Sequence, residues 1–554
     1  MKKNLFAVIF LAVLIVCGPT SLLAKETQPN ILLILVDDMG YSDIGPFGGE
    51  IQTPALDSLA KTGIRFTDFH TSISCSPTRS MLFSGTDNHL AGVGTMAEMI
   101  APNQIGKKGY EGHLNDRVVS IATLLRDAGY ATSMSGKWHL GEELKNDPYN
   151  RGFQKAYTML QGGTSHFDDE SMMYPNYTPI YRENGVQVHV PKGFYSSEFY
   201  TDKMMEYIDA REAGKPFFAY LSYTAPHDPL HVPDEWLEKY KGRYDQGYEA
   251  LRKDRLDNLK RLGFISDDVV PFPHFPLSPE WESLTDEDKK REARKMEIYS
   301  AMIDNVDYHL ARLFKHLKKT GDYNNTLIIF FSDNGANGAL MNQYPDTDQV
   351  WIDRNSDNRY ENLGRRFSRI EQGPAWAQVS MTPYRLFKGF TTEGGIRSPL
   401  IVSGPGVTNN GSHNDSFCHV MDISATILET AGVQHPGSSY KGKEIETLRG
   451  QSLVEVLNGK SDSVYDNDIA VSWELFGRRA VRKGDLKLVW LPDPFGNDDW
   501  QLYDLSKDPA ELNDISKEQP MQRKEMIEIW NQYSKDVGVV LPPGGALRVE
   551  PSDE

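Results

Sequence analysis

The chain is poor in cysteine, in positive charge and in long apolar runs. Only Cys17, Cys75 and Cys418 occur in 554 residues, so a disulfide framework is excluded as the source of stability. A formal net charge of −18 argues against nucleic acid or an anionic membrane surface as a partner. The longest apolar run, Leu5 to Val16, holds twelve residues, too few to span a bilayer. With Lys2 and Lys3 before it and Gly18, Pro19 and Ala24 after it, it reads as a secretory signal over residues 1–24. The mature chain is then expected in the periplasm or secreted, with no stable membrane association, and losing Lys2 and Lys3 takes its charge from −18 to −20. Cys17 closes the run and raises a lipoprotein alternative, but Val16 stands where a small residue would precede a lipidated cysteine. Repeats and low-complexity tracts are absent too.

What is present is an alternation of apolar runs with amphipathic segments, the sign of a βαβ-type sheet covered by helices. Strands are expected at 31–36, 131–136, 216–223 and 326–331, and helices at 54–63, 117–128, 201–212 and 286–319. Each of these strands runs into polar residues: Asp37-Asp38-Met39-Gly40, Lys137-Trp138-His139, Ala225-Pro226-His227 and Ser332-Asp333-Asn334-Gly335. In open parallel sheets ligands bind beyond the carboxyl ends of the strands, so these residues are expected to converge. Between the elements lie irregular segments, 142–198, 240–283 and 339–385, which suit rims or lids. Beyond about Lys441 the pattern changes to short strands at 468–474, 478–483, 486–491 and 500–505 and a helix at 522–535. This predicts a small antiparallel sheet with one helix, a subdomain over 441–554.

Ser72 to Gly85 is the stretch around which the rest is organised. Ser76 can cap a helix, Pro77 suits its first position, and Arg79 adds positive charge one turn in. Unpaired N–H groups at a helix start stabilise anions, so Cys75 would lie beside a bound oxyanion. On its own the stretch fits a buried core cysteine equally well. Asp37, Asp38, Asp333 and Asn334 offer three carboxylates and an amide, all oxygen donors, which together suit a hard cation such as calcium, or less well magnesium. A lone Asp-Asp pair after a strand also serves as a turn or helix cap. Lys137 and His139 stand two apart in an extended segment, hence on one face, and with His227 and Lys388 they offer positive or acid–base groups. Each alone fits a solvated lysine or a satisfied histidine.

Cys75-Ser76-Pro77-Thr78-Arg79 resembles the C-x-P-x-R signature of type I sulfatases, in which the cysteine is oxidised to formylglycine. Asp37-Asp38, Gly136-Lys137-Trp138-His139-Leu140-Gly141, Pro226-His227, Asp333-Asn334-Gly335 and Lys388 follow in family order. From Asn30 to the last helix the chain is similar to bacterial arylsulfatases, including Tyr110-Glu111-Gly112-His113-Leu114 and Trp473-Glu474-Leu475-Phe476-Gly477. The resemblance implies an alkaline-phosphatase-like α/β fold, with a large mixed, mostly parallel sheet sandwiched by helices and a catalytic domain over 25–440. It implies one calcium ion held by Asp37, Asp38, Asp333, Asn334 and modified Cys75. It also implies that Arg79 holds the hydrated aldehyde, Lys137 and Lys388 the sulfate oxygens, His139 the geminal diol and His227 the leaving oxygen. The expected partners are a small-molecule or carbohydrate sulfate ester and a formylglycine-generating maturation enzyme. Two rival readings stand beside it. One is a phosphonate monoester or phosphodiester hydrolase of the same superfamily, and the other is a carbohydrate-binding protein or pseudoenzyme with an intact thiol.

Overall fold

The computed structural model describes residues 28–545 except Met172 and Asn176; the secretory-signal expectation and Cys17 lie outside the described residues. Strand Asn30–Asp37 (NILLILVD) is buried along its whole length. Its period of two divides it cleanly: Ile31, Leu33 and Leu35 enter the core on one side of the sheet, and Leu32, Ile34 and Val36 enter the core on the other. Each such side chain contributes about 2 kcal/mol by leaving water.

Around this strand a ten-stranded sheet is ordered His413–Asn414, Gly63–Phe66, Leu400–Ser403, Thr326–Ser332, Asn30–Asp37, Phe217–Pro226, Ala131–Lys137, Lys155–Met159, Tyr181–Glu183 and Val186–Val188. Five neighbouring strands, Thr326–Ser332 to Lys155–Met159, pair in parallel, and antiparallel pairs bring in Leu400–Ser403 on one side and the terminal hairpin on the other. The mixed, mostly parallel sheet between helices is as expected. So is the separate four-stranded antiparallel sheet of Ala470–Leu475, Arg478–Lys483, Leu486–Trp490 and Trp500–Asp504. Helix Pro520–Val537 closes that sheet through Val481, Leu488, Leu502, Met526 and Trp530.

The longest helix, Asp286–Thr320, starts where Thr285 accepts a hydrogen bond from the Asp288 backbone amide (3.1 Å), carries acids in its first turn and lysines in its last, and stops at left-handed Gly321. Helix 117–128 is shorter than expected, Ile121–Asp127, because Ser120 caps it. Helix 201–212 shifts to Ser196–Asp209. The three irregular segments are not wholly irregular. They hold strand Lys155–Met159, a hairpin, and helices Gly247–Arg261, Gln349–Asn355 and Pro374–Ser380.

Candidate active site

Register assembles the site. Val36 pairs with Ser332 and Asp37 with Pro226, while Gly136 pairs with Ser222. The residues that follow these positions therefore share one sheet edge: Asp38, Asp333 and Asn334, His227, and Lys137. Asp38 turns out of its strand with φ 67°, a left-handed conformation that strains a non-glycine residue.

Helix Cys75–Ser84 points its start at this edge, and all ten of its residues are buried. The expected cap at Ser76 is corrected: the helix starts two residues earlier. Ser74, extended at φ −158°, precedes the helix without a side-chain cap bond, Cys75 is the first helical residue and Pro77 the third. The shift leaves the Cys75 side chain at the helix mouth. Its Sγ lies 3.3 Å from Asp37 Oδ1 and 3.9 Å from Asp38 Oδ1.

Three cations answer three carboxylates. Lys137 Nζ reaches Asp37 Oδ2 at 2.6 Å, and Lys388 Nζ reaches Asp38 Oδ2 at 2.8 Å. Arg79 donates to Asp333 Oδ2 through Nε at 3.1 Å and Nη2 at 2.8 Å. Its Nη1 donates to Ser222 Oγ at 2.6 Å and to the Lys137 carbonyl at 3.0 Å. His227 Nε2 stands 3.4 Å from Asp38 Oδ2, and its Nδ1 lies 2.7 Å from the Asp228 carbonyl. His139 does not continue the extended alternation from Lys137. Its φ of 57° swings the ring toward Glu98 Oε1 at 3.2 Å, so the two side chains take separate partners.

Burial governs the titrations. Burial raises the Asp37 carboxyl, but Lys137, His227 and Arg79 overcome it and hold the group well below the usual range. Burial, together with neighbouring Asp37, pushes Asp333 up. Burial and the carboxylates of Asp333 and Asp37 push the Cys75 thiol well up. Burial lowers the His227 imidazole to about 4 and lowers His139 as well, which keeps both rings neutral at pH 7.

The residues also fit a cation. Asp37, Asp38, Cys75 and His227 present ligand atoms all within 4.8 Å of one another. Asn334 Nδ2 donates to Asp38 Oδ1 at 2.6 Å, which leaves Asn334 Oδ1 buried without a hydrogen-bond partner among the described residues. A buried amide oxygen with no donor beside three carboxylates is an acceptor waiting for a positive ligand.

The profile of the family described as Sulfatase matches residues 29–433. The chain belongs to the sulfatase family. This sulfatase also matches, over residues 384–535, the family described as N-sulphoglucosamine sulphohydrolase, C-terminal. It is 44% identical over 532 residues to an uncharacterized sulfatase of Schizosaccharomyces pombe, spanning 94% of this chain and 96% of that one. It is 43% identical over 440 residues to an arylsulfatase of Klebsiella aerogenes, spanning 79% of this chain and 94% of that one. Among solved structures, Ps i-CgsB superposes with a TM-score of 0.65 at 24% identity over 92% of this chain and 93% of its own; that likeness concerns the fold. The sulfatase is a sulfuric ester hydrolase, and its buried acidic cluster suits a divalent metal.

Several residues at the sulfatase site carried no signal in the sequence. Glu98 lies in a short helical turn and meets His139 only through the fold. Ser222 and Tyr220 look like ordinary strand residues yet hold Arg79. Asn337, two residues before a segment read as rim, and Tyr344, inside it, donate to Asp228 Oδ2 at 2.8 and 3.1 Å.

Proposed function

We propose that this sulfatase cleaves sulfate monoesters to an alcohol or phenol plus sulfate through residue 75, converted from cysteine to formylglycine. The observation that supports it is the placement of Cys75, 1% exposed, at the mouth of a buried helix and within 4 Å of Asp37 and Asp38. Asp37, Asp38, Asp333 and Asn334 would hold one calcium ion together with residue 75. The bound ion would polarise the sulfuryl oxygens and shift the local charge from balanced to positive, while the hydrated aldehyde supplies the hydroxyl that attacks sulfur.

The remaining roles belong to side chains of this chain. Lys137 and Lys388 receive the sulfuryl oxygens as charge builds on them. His227 donates a proton to the departing oxygen. Its ring is neutral in the resting site, and the anionic substrate beside it supplies the charge that favours protonation. His139, neutral and oriented by Glu98, accepts the proton of the second hydroxyl when sulfate leaves. Arg79 fixes Asp333 and the turn after Lys137.

Residues 1–24 are proposed as a secretory signal, and 25–440 and 441–554 as catalytic domain and C-terminal subdomain. Mass spectrometry of the peptide spanning Cys75 tests the central step. Conversion removes about 18 Da from the thiol form, and a fully intact thiol in active protein would overturn the reading. Faster turnover of p-nitrophenyl phosphate than of p-nitrophenyl sulfate would favour the phosphoester rival.

A further inference from the structure

Between the long helix Asp286–Thr320 and the segment after Asn337 lies a polar cavity of about 190 Å³. Arg291, Lys295, Asn342, Asn358, Arg369 and Glu371 are among its walls. The charges there are unevenly matched. Lys295 is answered by Glu292 at 2.8 Å and Glu371 at 3.0 Å. Among the described residues Arg291 donates only to the Asn358 carbonyl, at 3.2 Å from each terminal nitrogen. Arg369, 6% exposed, donates to the carbonyls of Met173 (3.2 Å) and Asn355 (3.4 Å) and lies 4.8 Å from the centre of the Trp351 ring. Among the described residues neither guanidinium has a carboxylate in contact, and Asp169 acts on Arg369 only at longer range. A largely buried guanidinium without an anion is costly, and its planar fork matches an oxyanion. Asn342 Oδ1 is buried with no donor among the described residues, a place for a hydroxyl. A sugar ring bearing a carboxylate or a second sulfate offers both groups at once.

Packed residues link the cavity to the leaving-group side of the site. Arg369 holds the Met173 carbonyl. A Cβ on Gly163 would sit 2.7 Å from Met173 Sδ and 3.1 Å from His227 Cε1, so Met173, Gly163 and His227 are stacked. The Glu371 charge also acts at a distance on Asp228, the neighbour of His227, where it adds to burial in pushing that carboxyl up. The opposite flank is acidic: Glu98 lies on His139, and Glu142 stands close enough to feel Glu98. An anionic remainder is repelled there and attracted toward Arg291 and Arg369.

We propose that this cavity is a subsite for a second anionic group, carboxylate or sulfate, on the sugar that leaves. The proposal rests on His227 facing the leaving oxygen. The test compares kcat/KM of the mature enzyme for p-nitrophenyl sulfate, for a monosulfated disaccharide containing a uronate, and for the same disaccharide carboxyl-reduced to its neutral alcohol. The uronate form is expected to be preferred over the reduced form by about ten-fold or more. Arg291→Gln should abolish that preference and Arg291→Lys should restore part of it. Arg369→Gln, with its melting temperature measured alongside, should act in the same direction. Calorimetric binding of the uronate disaccharide, weakened about ten-fold by Arg291→Gln, reads the subsite without turnover. Failure of p-nitrophenyl sulfate hydrolysis in the natural enzyme would therefore count against the catalytic reading and not against this one. Equal handling of charged and reduced disaccharides, or a preference unaltered in Arg291→Gln, overturns the proposal. So does a cavity that takes free sulfate instead: Arg291→Gln would then relieve non-competitive inhibition by sodium sulfate and leave disaccharide selectivity unchanged.

Discussion

Gly162 and Gly163 are where single atoms decide most. A Cβ on Gly162 would stand 2.9 Å from His139 Cε1, and one on Gly163 would stand 3.1 Å from His227 Cε1. The glycine pair is thus the wall against which both histidine rings lie. Gly163→Ala is expected to displace His227 and lower kcat by about ten-fold while changing the melting temperature little, because Met173 Sδ, the other neighbour, is a flexible end. An unchanged kcat would show that the ring has room to move. Cys75→Ser keeps one hydroxyl and lacks the second, so it should accumulate a covalent sulfate, about 80 Da heavier on that peptide. Normal multiple turnover in this variant would sink the role given to His139. At this scale the residues at strand ends and in the Cys75 motif were legible because spacing and residue type carry them. Glu98, Ser222 and the glycine pair were not, since their meaning arises only from contacts between segments far apart in sequence.

Strand Asn30–Asp37 and helix Cys75–Ser84 are the two elements that hold the site, and they do so differently. The strand is held by two apolar faces. Leu33→Ala should cost about 3 kcal/mol, read as a shift of the urea midpoint, with the Asp37–Lys137 geometry kept in the folded fraction. The helix is mixed: Met81, Leu82 and Phe83 in its second half enter the core on one side of the sheet, while its other buried residues are mostly polar. Its buried Thr78, Ser80 and Ser84 are hydrogen-bonded: Thr78 Oγ1 accepts from the Ser72 amide (2.9 Å), and Ser80 Oγ and Ser84 Oγ bond back to the carbonyls of Pro77 (2.8 Å) and Ser80 (2.6 Å). The strands with continuous apolar runs were legible from sequence for the reason that makes them stable. The short strands Gly63–Phe66, Leu400–Ser403 and Lys155–Met159 were not. At four or five residues they carry too little periodicity to stand apart from loops, and partner strands define them.

Across the whole molecule, buried ion pairs join the C-terminal sheet to the large one. Lys487 Nζ bridges Glu393 Oε1 at 2.7 Å and Glu511 Oε1 at 3.0 Å, and Arg482 meets Asp68 at 2.7 Å. His89 lies between Asp87 at 3.0 Å and Glu474 at 2.9 Å. A fragment ending at residue 440 would leave Asp68, Glu393 and His89 without these partners, so it is expected to aggregate on expression; a soluble, cooperatively melting fragment would contradict this. Burial opposes charge on His89, but its hydrogen bonds to Asp87 and Glu474 win and raise its pKa to about 9. Because the folded value lies above the unfolded one, the stabilisation is complete below about pH 6.5 and is lost as pH rises through about 9, on the order of 3 kcal/mol in all. The melting temperature of the natural protein should fall over that interval more steeply than that of His89→Gln; parallel slopes would exclude His89 as the cause.

The burial of helix Cys75–Ser84 also sets an order of events. With Cys75 1% exposed and every residue of its helix covered, no second protein can close around that side chain once the sheet and its helices have packed. Any enzyme that alters Cys75 must therefore meet it on a nascent or unfolded chain. Chemical maturation and folding then compete for the same interval, and a chain that folds first keeps its thiol permanently.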